Sequence, residues 1–242
     1  YAPISEGEET EGLLAPKAGL VWTPGHGMSL RAAYTRSLGG VSFDQSFRLE
    51  PTQVAGFNQA FRSLMPESIT GANAAEKYET WGVALEQKLP SRTYLGLSAE
   101  WLNSEVERSF GVFAFEFPPV SAVPSSTPEQ IDFAETTLRF YLSQLVSDEW
   151  SFALRYRLSE AELENRFPEI SPSALPPQTF TALMHQVQMV TLFNHPSGFF
   201  AEAQALWTAQ SNHGYQPELP GDDFWQFNLF AGYRFSRRRA EV

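Results

Sequence analysis

Trp150-Ser151-Phe152-Ala153-Leu154-Arg155-Tyr156-Arg157-Leu158-Ser159 decides the fold class. Its large apolar side chains stand at 150, 152, 154, 156 and 158, with small or charged ones between them. A strand sends successive side chains to opposite faces, so this spacing builds a ribbon with one apolar and one polar side. The same period runs through Met28, Leu30, Ala32 and Tyr34, and through Trp225, Phe227, Leu229, Ala231, Tyr233 and Phe235. Followed along the chain, it predicts strands at about 13–23, 28–41, 77–88, 93–106, 131–145, 150–162, 181–193, 199–211 and 223–235. At roughly 10–14 residues each they exceed the 5–6 usual in soluble sheets. No helical pattern longer than three turns competes with them.

The connections alternate. Pro24–Gly27, Leu89–Arg92, Ser147–Glu149 and Asn194–Gly198 read as tight hairpin turns, while 42–76, 107–130, 163–180 and 212–222 read as long loops. A meander with its tight turns at one end and its long loops at the other is the plan of a transmembrane β-barrel. The expected fold is therefore all-β, a transmembrane antiparallel up-and-down β-barrel with about nine strands in this chain. Its parts are an acidic N-terminal loop (1–12), a barrel segment (13–235) with short periplasmic turns and long extracellular loops, and a periplasmic tail (236–242).

Composition fits once each strand has two faces. The chain has 242 residues, a net charge of -11, no cysteine and 14% aromatics. Without cysteine there is no disulfide framework, thiolate metal site or cysteine nucleophile. The acidic balance argues against nucleic acid as a partner. No apolar run approaches the roughly 18–20 residues of a membrane helix, and the mean hydropathy of -0.27 looks like that of a soluble protein. A barrel wall accounts for this, because half of every strand faces water in the lumen. A soluble sandwich or lipocalin-like barrel, with its apolar face inward, explains neither the loop asymmetry nor the strand length. Aromatics are expected at two interface levels. Near the short turns stand Trp22, Tyr94, Trp150, Phe193, Phe199, Tyr233 and Phe235; near the long loops stand Tyr34, Trp81, Trp101, Phe133, Trp207 and Trp225.

The segment Asn228-Leu229-Phe230-Ala231-Gly232-Tyr233-Arg234-Phe235 resembles the terminal strand of Gram-negative outer-membrane barrels. That resemblance implies recognition by the barrel-assembly machinery and a position among outer-membrane lipid and lipopolysaccharide, with the C-terminus periplasmic. The family usually stops at the aromatic residue, whereas here Ser236–Val242 follows. The stretch from Ser42 to Gln59 resembles a loop of large barrels of the TonB-dependent-receptor-like or tetratricopeptide-repeat-linked type. The resemblance corresponds to the C-terminal part of such proteins. No plug, TonB-contacting box or helical repeat is found here, so neither class's transport mechanism is carried over.

Single-chain bacterial barrels generally have an even strand number, and open edges cannot face lipid unpaired. Nine strands therefore imply missing N-terminal strands or strands from another chain, unless one lies unrecognised in 42–76. On the polar face the expected lumen lining includes Arg31, Glu100, Glu135, Arg139, Arg155, Arg157, Glu202 and Arg234. Pairing around the 147–149 turn sets Arg139 opposite Arg157 and Tyr141 opposite Arg155. The three guanidiniums then form either an anion-attracting stripe or a charge ladder neutralised by carboxylates. Glu202, Gln204, Gln186 and Gln188 make a neutral-to-acidic patch that suits sugars. Val54, Phe57 and Phe61 stand at near-helical spacing after Pro51-Thr52, marking a candidate constriction loop.

Enzymatic signatures are weak. His185 and His213, with Asp222 and Asp223, are the nearest approach to a catalytic or metal set, and they lack a serine motif and His-x-x-His spacing. No catalytic residue, metal site or cofactor is expected. The expected function is a channel or receptor barrel passing a solute or polymer across the outer membrane. The alternative is a non-transport barrel anchor whose extracellular loops bind a partner or surface polymer.

Overall fold

The computed structural model describes residues 14–38, 53–58, 77–116 and 121–235. The strands are β1 (Lys17–Gly25), β2 (Met28–Leu38), β3 (Gln53–Val54), β4 (Phe57–Asn58), β5 (Lys77–Lys88) and β6 (Thr93–Glu116). They continue as β7 (Ser121–Leu145), β8 (Trp150–Arg166), β9 (Gln178–Asn194), β10 (Phe199–His213) and β11 (Gly221–Tyr233). Nine of them form one antiparallel sheet in the order β1-β2-β5-β6-β7-β8-β9-β10-β11, while β3 and β4 pair as a separate hairpin. Among the described residues there is no helix, and β1 and β11 are the sheet's two unpaired edges.

Two expectations need correction. The predicted loop at 107–130 is mostly strand: β6 and β7 run 24 and 25 residues and stay paired from Thr93–Gln144 to Glu116–Ser121. Pro124 and Pro128 disguised this in the sequence. Proline is tolerated where one side of a strand is free, and β8 reaches along β7 only as far as Gln130. The second correction concerns residues 53–58, expected to begin a helical turn. Val54 pairs instead with Phe57 across Ala55 and Gly56, both at positive φ, which makes a tight hairpin. Phe61, the acidic segment 1–12 and the tail 236–242 lie outside the described residues.

The register carries the sheet's shape. One row across it reads Val21, Arg31, Ala84, Ser98, Arg139, Arg157, Gln186, Thr208, Phe224. Arg31 stands three residues above Met28 at the short-turn end of β2, whereas Thr208 stands nine above Phe199 at that end of β10. The row climbs by one residue per strand. With roughly 3.3 Å per residue along a strand and 4.8 Å between strands, this stagger tilts the strands by about 35°. Such a sheet coils as barrel walls do.

Burial agrees with that coiling and shows which side is inside. Thr35, Thr137, Ser159 and Glu135 are buried on one face. On the other face Phe227 and Leu229 are 71% and 79% exposed, and Trp81, Leu97, Trp101 and Phe152 are also exposed. Through this part of the sheet the polar face is inside and the apolar face outside. A slip of one residue would exchange every side chain between the faces, which pins the register of each strand.

Candidate functional site on the inner face

The outward aromatics stand at two levels set by the short turns. Trp150, Phe199 and Tyr233 lie at the short-turn ends of β8, β10 and β11, with Phe193 one residue up β9 and Trp22 three residues up β1. Tyr34, Trp81, Trp101, Trp207 and Trp225 stand six to eight residues up their strands. Eight residues separate Phe199 from Trp207 and Tyr233 from Trp225. At roughly 3.3 Å per residue and about 35° of tilt, the levels are about 22 Å apart. Trp150 lies against Phe193 at 4.6 Å and Tyr34 against Trp81 at 4.4 Å, tying neighbouring strands together at each level. In the upper row Trp81 Nε1 donates to Glu79 at 3.0 Å. Phe235, just after β11, packs edge-on against Tyr233 at 5.2 Å.

Two aromatics assigned to these levels face inward instead. Tyr94 pairs with Lys88 on the inner face, and the Lys88 ammonium lies 5.5 Å from its ring. Phe133 is buried in a cluster with Val106, Ile131, Ala161, Leu163 and Ala182, flanked by Leu102 and Phe180. All of these share the face that carries Arg139 and Glu100 lower down. The outer face at the same height carries Glu105, Glu107, Asp132, Glu160, Glu162 and Glu164. Through this stretch just above the upper aromatic level the polarity of the two faces exchanges; higher still the inner face carries the buried Glu129 paired with Arg108, and Phe113 and Phe115 are exposed on the outer parity of β6. Sequence reading missed this, although the signal is present: apolar residues change phase along β6, from Leu95, Leu97, Ala99 and Trp101 to Leu102 and Val106.

Below the exchange, the inner wall is a network of ion pairs and amides. β7 and β8 bring Arg139 opposite Arg157 and Tyr141 opposite Arg155. Arg139 pairs with Glu100 of β6. Arg157 Nη2 lies 3.4 Å from Glu135 Oε1, and its Nε donates to Ser159 Oγ at 2.9 Å. Glu135, itself buried, also accepts from Thr137 at 2.9 Å. Two of the three expected stripe guanidiniums are therefore matched by carboxylates, which is the ladder arrangement for that pair. Arg155 is different: its Nη1 donates to the Gln188 amide oxygen at 3.2 Å. Glu202 accepts from Gln204, whose own amide oxygen accepts from Asn228 at 3.4 Å, so this patch is linked across β10 and β11. Arg234 lies at the short-turn rim, donating to Asn194 at 2.9 Å with its guanidinium 4.4 Å from the Phe200 ring.

The β3–β4 hairpin lies on this inner wall. Phe57 is buried with Ala33 and Ala84, and Val54 and Ala55 pack beside it. The wall there is made of small residues. A Cβ on Gly82 would come 2.7 Å from the Phe57 ring, and one on Gly19 would come 2.8 Å from Val54. Arg31 closes the contact: Nη1 donates to the Ala55 carbonyl at 3.0 Å, the guanidinium lies 5.5 Å from the Phe57 ring, and Nη2 pairs with Glu86 at 2.6 Å. Val54 and Phe57 thus project from a loop onto the same wall as the arginines.

The histidines do not converge. His185 lies opposite Ala209, four residues along β10 from His213, and Nδ1 of His185 is 2.8 Å from the Tyr156 hydroxyl on the outer face. Among the described residues no group of three or more histidine, aspartate or glutamate side chains is arranged to hold a metal. In the connection between β10 and β11, Tyr215 packs on Phe180 at 4.8 Å, and burial pushes its phenol above the ordinary value of 10.0. No family model matches this chain, and neither does any curated protein or solved structure.

Proposed function

We propose that this chain is a wall segment of an outer-membrane β-barrel and that solutes pass along its inner face. The observation that carries the reading is the exchange of polarity at the upper aromatic level. Below that level, large apolar side chains point outward over a band about 22 Å high, close to the roughly 25 Å of known barrels. Just above it, through Val106, Ile131, Phe133, Ala161 and Leu163, apolar residues point inward and carboxylates outward, as water outside requires; beyond this stretch the inner face carries the Arg108–Glu129 pair. A soluble sheet has no reason to invert its faces partway along its strands. The likeness of Asn228–Phe235 to outer-membrane terminal strands, read by the barrel-assembly machinery, supports the same assignment. On it the short turns are periplasmic and the long connections lie among lipopolysaccharide and the outside medium.

Strand direction bears on closure. β1 and β11 both run toward the short turns, so pairing them directly would be parallel. An odd number of further strands, from elsewhere in the polypeptide or from another chain, closes the wall with antiparallel pairs throughout and leaves no edge in lipid.

The chain lacks cysteine, so single-cysteine variants test the orientation without background. With a membrane-impermeant maleimide on intact cells, Ser173→Cys labels and Ser91→Cys labels only after the outer membrane is opened. Labelling of Ser91→Cys in intact cells overturns the orientation. Ion conductance of the purified protein in planar bilayers tests passage. A second reading, an anchor whose outer parts bind a partner, is favoured by the β6–β7 ribbon beyond the sheet, where Phe113 and Phe115 are exposed. An inserted protein that conducts nothing selects that reading.

A further inference from the structure

Among the described residues, the mid-wall guanidiniums of the inner face are balanced by carboxylates with a single informative exception. Arg31, Arg108, Arg139 and Arg157 each meet a glutamate. Arg155, five residues up β8 from Trp150, meets the Gln188 side chain and no carboxylate among the described residues. Arginine has donors only, so the amide oxygen of Gln188 must be the atom that faces it. The amide nitrogen of Gln188, with two N–H groups, is left for another acceptor. Arg155 and Gln188 line a cavity of about 450 Å³ together with Arg139, Tyr141, Arg157 and Gln186. The two arginines beside them are held by their own glutamates, so the uncompensated charge of the cavity sits at Arg155.

We infer that this cavity binds a solute through a carboxylate group, gripped by the Arg155 guanidinium and the Gln188 amide nitrogen. The chemistry is complementary. A planar guanidinium presents parallel N–H groups to the two oxygens of a carboxylate, and such charge-assisted bonds are about twice as strong as neutral ones. Among the described residues no carboxylate competes for them, and Gln186, which gives one amide N–H to Thr208, offers its remaining groups to the rest of the solute, while the Tyr141 hydroxyl is engaged with Glu86. The inference rests on the proposed lumen only for the route by which the solute arrives. The grip itself is a property of the folded wall.

Calorimetry on the full chain folded in detergent micelles tests it, with D-glucuronate and D-glucose as a matched pair differing at the carboxylate. Wild type is expected to bind glucuronate about tenfold or more tightly than glucose. Arg155→Gln brings glucuronate down to the level of glucose, and Arg155→Lys, which keeps charge without the fork, falls between. Arg92→Gln, which loses an exposed ion pair with Asp148 at a short turn, binds as wild type does. The inference is overturned if Arg155→Gln keeps its glucuronate affinity within about twofold, or if wild type does not separate glucuronate from glucose. Binding in micelles does not depend on orientation in a membrane. A failure here is therefore distinguishable from a failure of the barrel reading, which the labelling experiment reports.

Discussion

Leu97→Arg asks directly what the outer face touches. Leu97 lies on β6 four residues from Thr93 at the short-turn end and four from Trp101 in the upper aromatic row. With roughly 3.3 Å per residue and about 35° of tilt, it sits about 11 Å from each level, at the centre of the band. Its side chain is 48% exposed, so in water an arginine would be accommodated within about 0.5 kcal/mol. In lipid the same arginine at mid-depth costs about 2–4 kcal/mol. Thr136→Arg is the depth control. Thr136 is also outward and exposed, but it pairs with Trp101 at the upper level, where the cost falls to about 0–1 kcal/mol. Denaturant titration of protein folded into liposomes, followed by heat-modifiable electrophoretic mobility, should show Leu97→Arg less stable than Thr136→Arg by about 2 kcal/mol, roughly a thirtyfold difference in the folding constant. Equal, near-zero effects at both positions would mean that the outer face meets water, and the reasoning from polarity exchange would fall.

Phe133→Ala above the exchange removes a buried ring and should cost about 3–5 kcal/mol, while Leu97→Ala on the outer band costs far less; chemical denaturation compares them. Gly82→Val should displace Phe57 from the wall, read as faster amide hydrogen exchange at 53–58 with the nine-stranded sheet still protected. Glu135→Ala removes the carboxylate shared by Arg157 and Thr137 and should lower stability by about 3 kcal/mol, whereas loss of the exposed Arg92–Asp148 pair should cost under about 1 kcal/mol. Ultraviolet titration should lose a late-ionising phenol in Tyr215→Phe. Because the folded value is raised, the stabilisation it reflects is complete below the ordinary value of 10.0 and is lost as pH rises through the folded one.

Much of the fold was legible in the residues, and the reasons are local. Alternation at Trp150–Ser159 sets both period and face, and turn chemistry at Gly25–Gly27 and Asn194–Gly198 sets where strands reverse. The opposition of Arg139 to Arg157 then follows from turn length. The extent of β6 and β7 was hidden because Pro124 and Pro128 read as loop wherever a strand is assumed to have neighbours on both sides. Only the register shows that β7 has a free edge there. The site was half legible for a related reason. Charges on one face can be counted from alternation, but which guanidinium finds a carboxylate depends on side-chain reach between strands. Arg139 and Arg157 find Glu100 and Glu135, while Arg155 finds an amide.

By itself, then, the sequence determined a long-stranded antiparallel meander with a polar and an apolar face, because side-chain direction depends only on position along a strand. Tertiary structure decided what each face is at each height. A stagger of one residue per strand brings aromatics distant in sequence to two common levels, and above the upper one gathers inner-face residues of four strands into an apolar cluster with the Arg108–Glu129 pair beyond it. That property belongs to nine strands in register, since level is measured across the sheet and no single strand contains it.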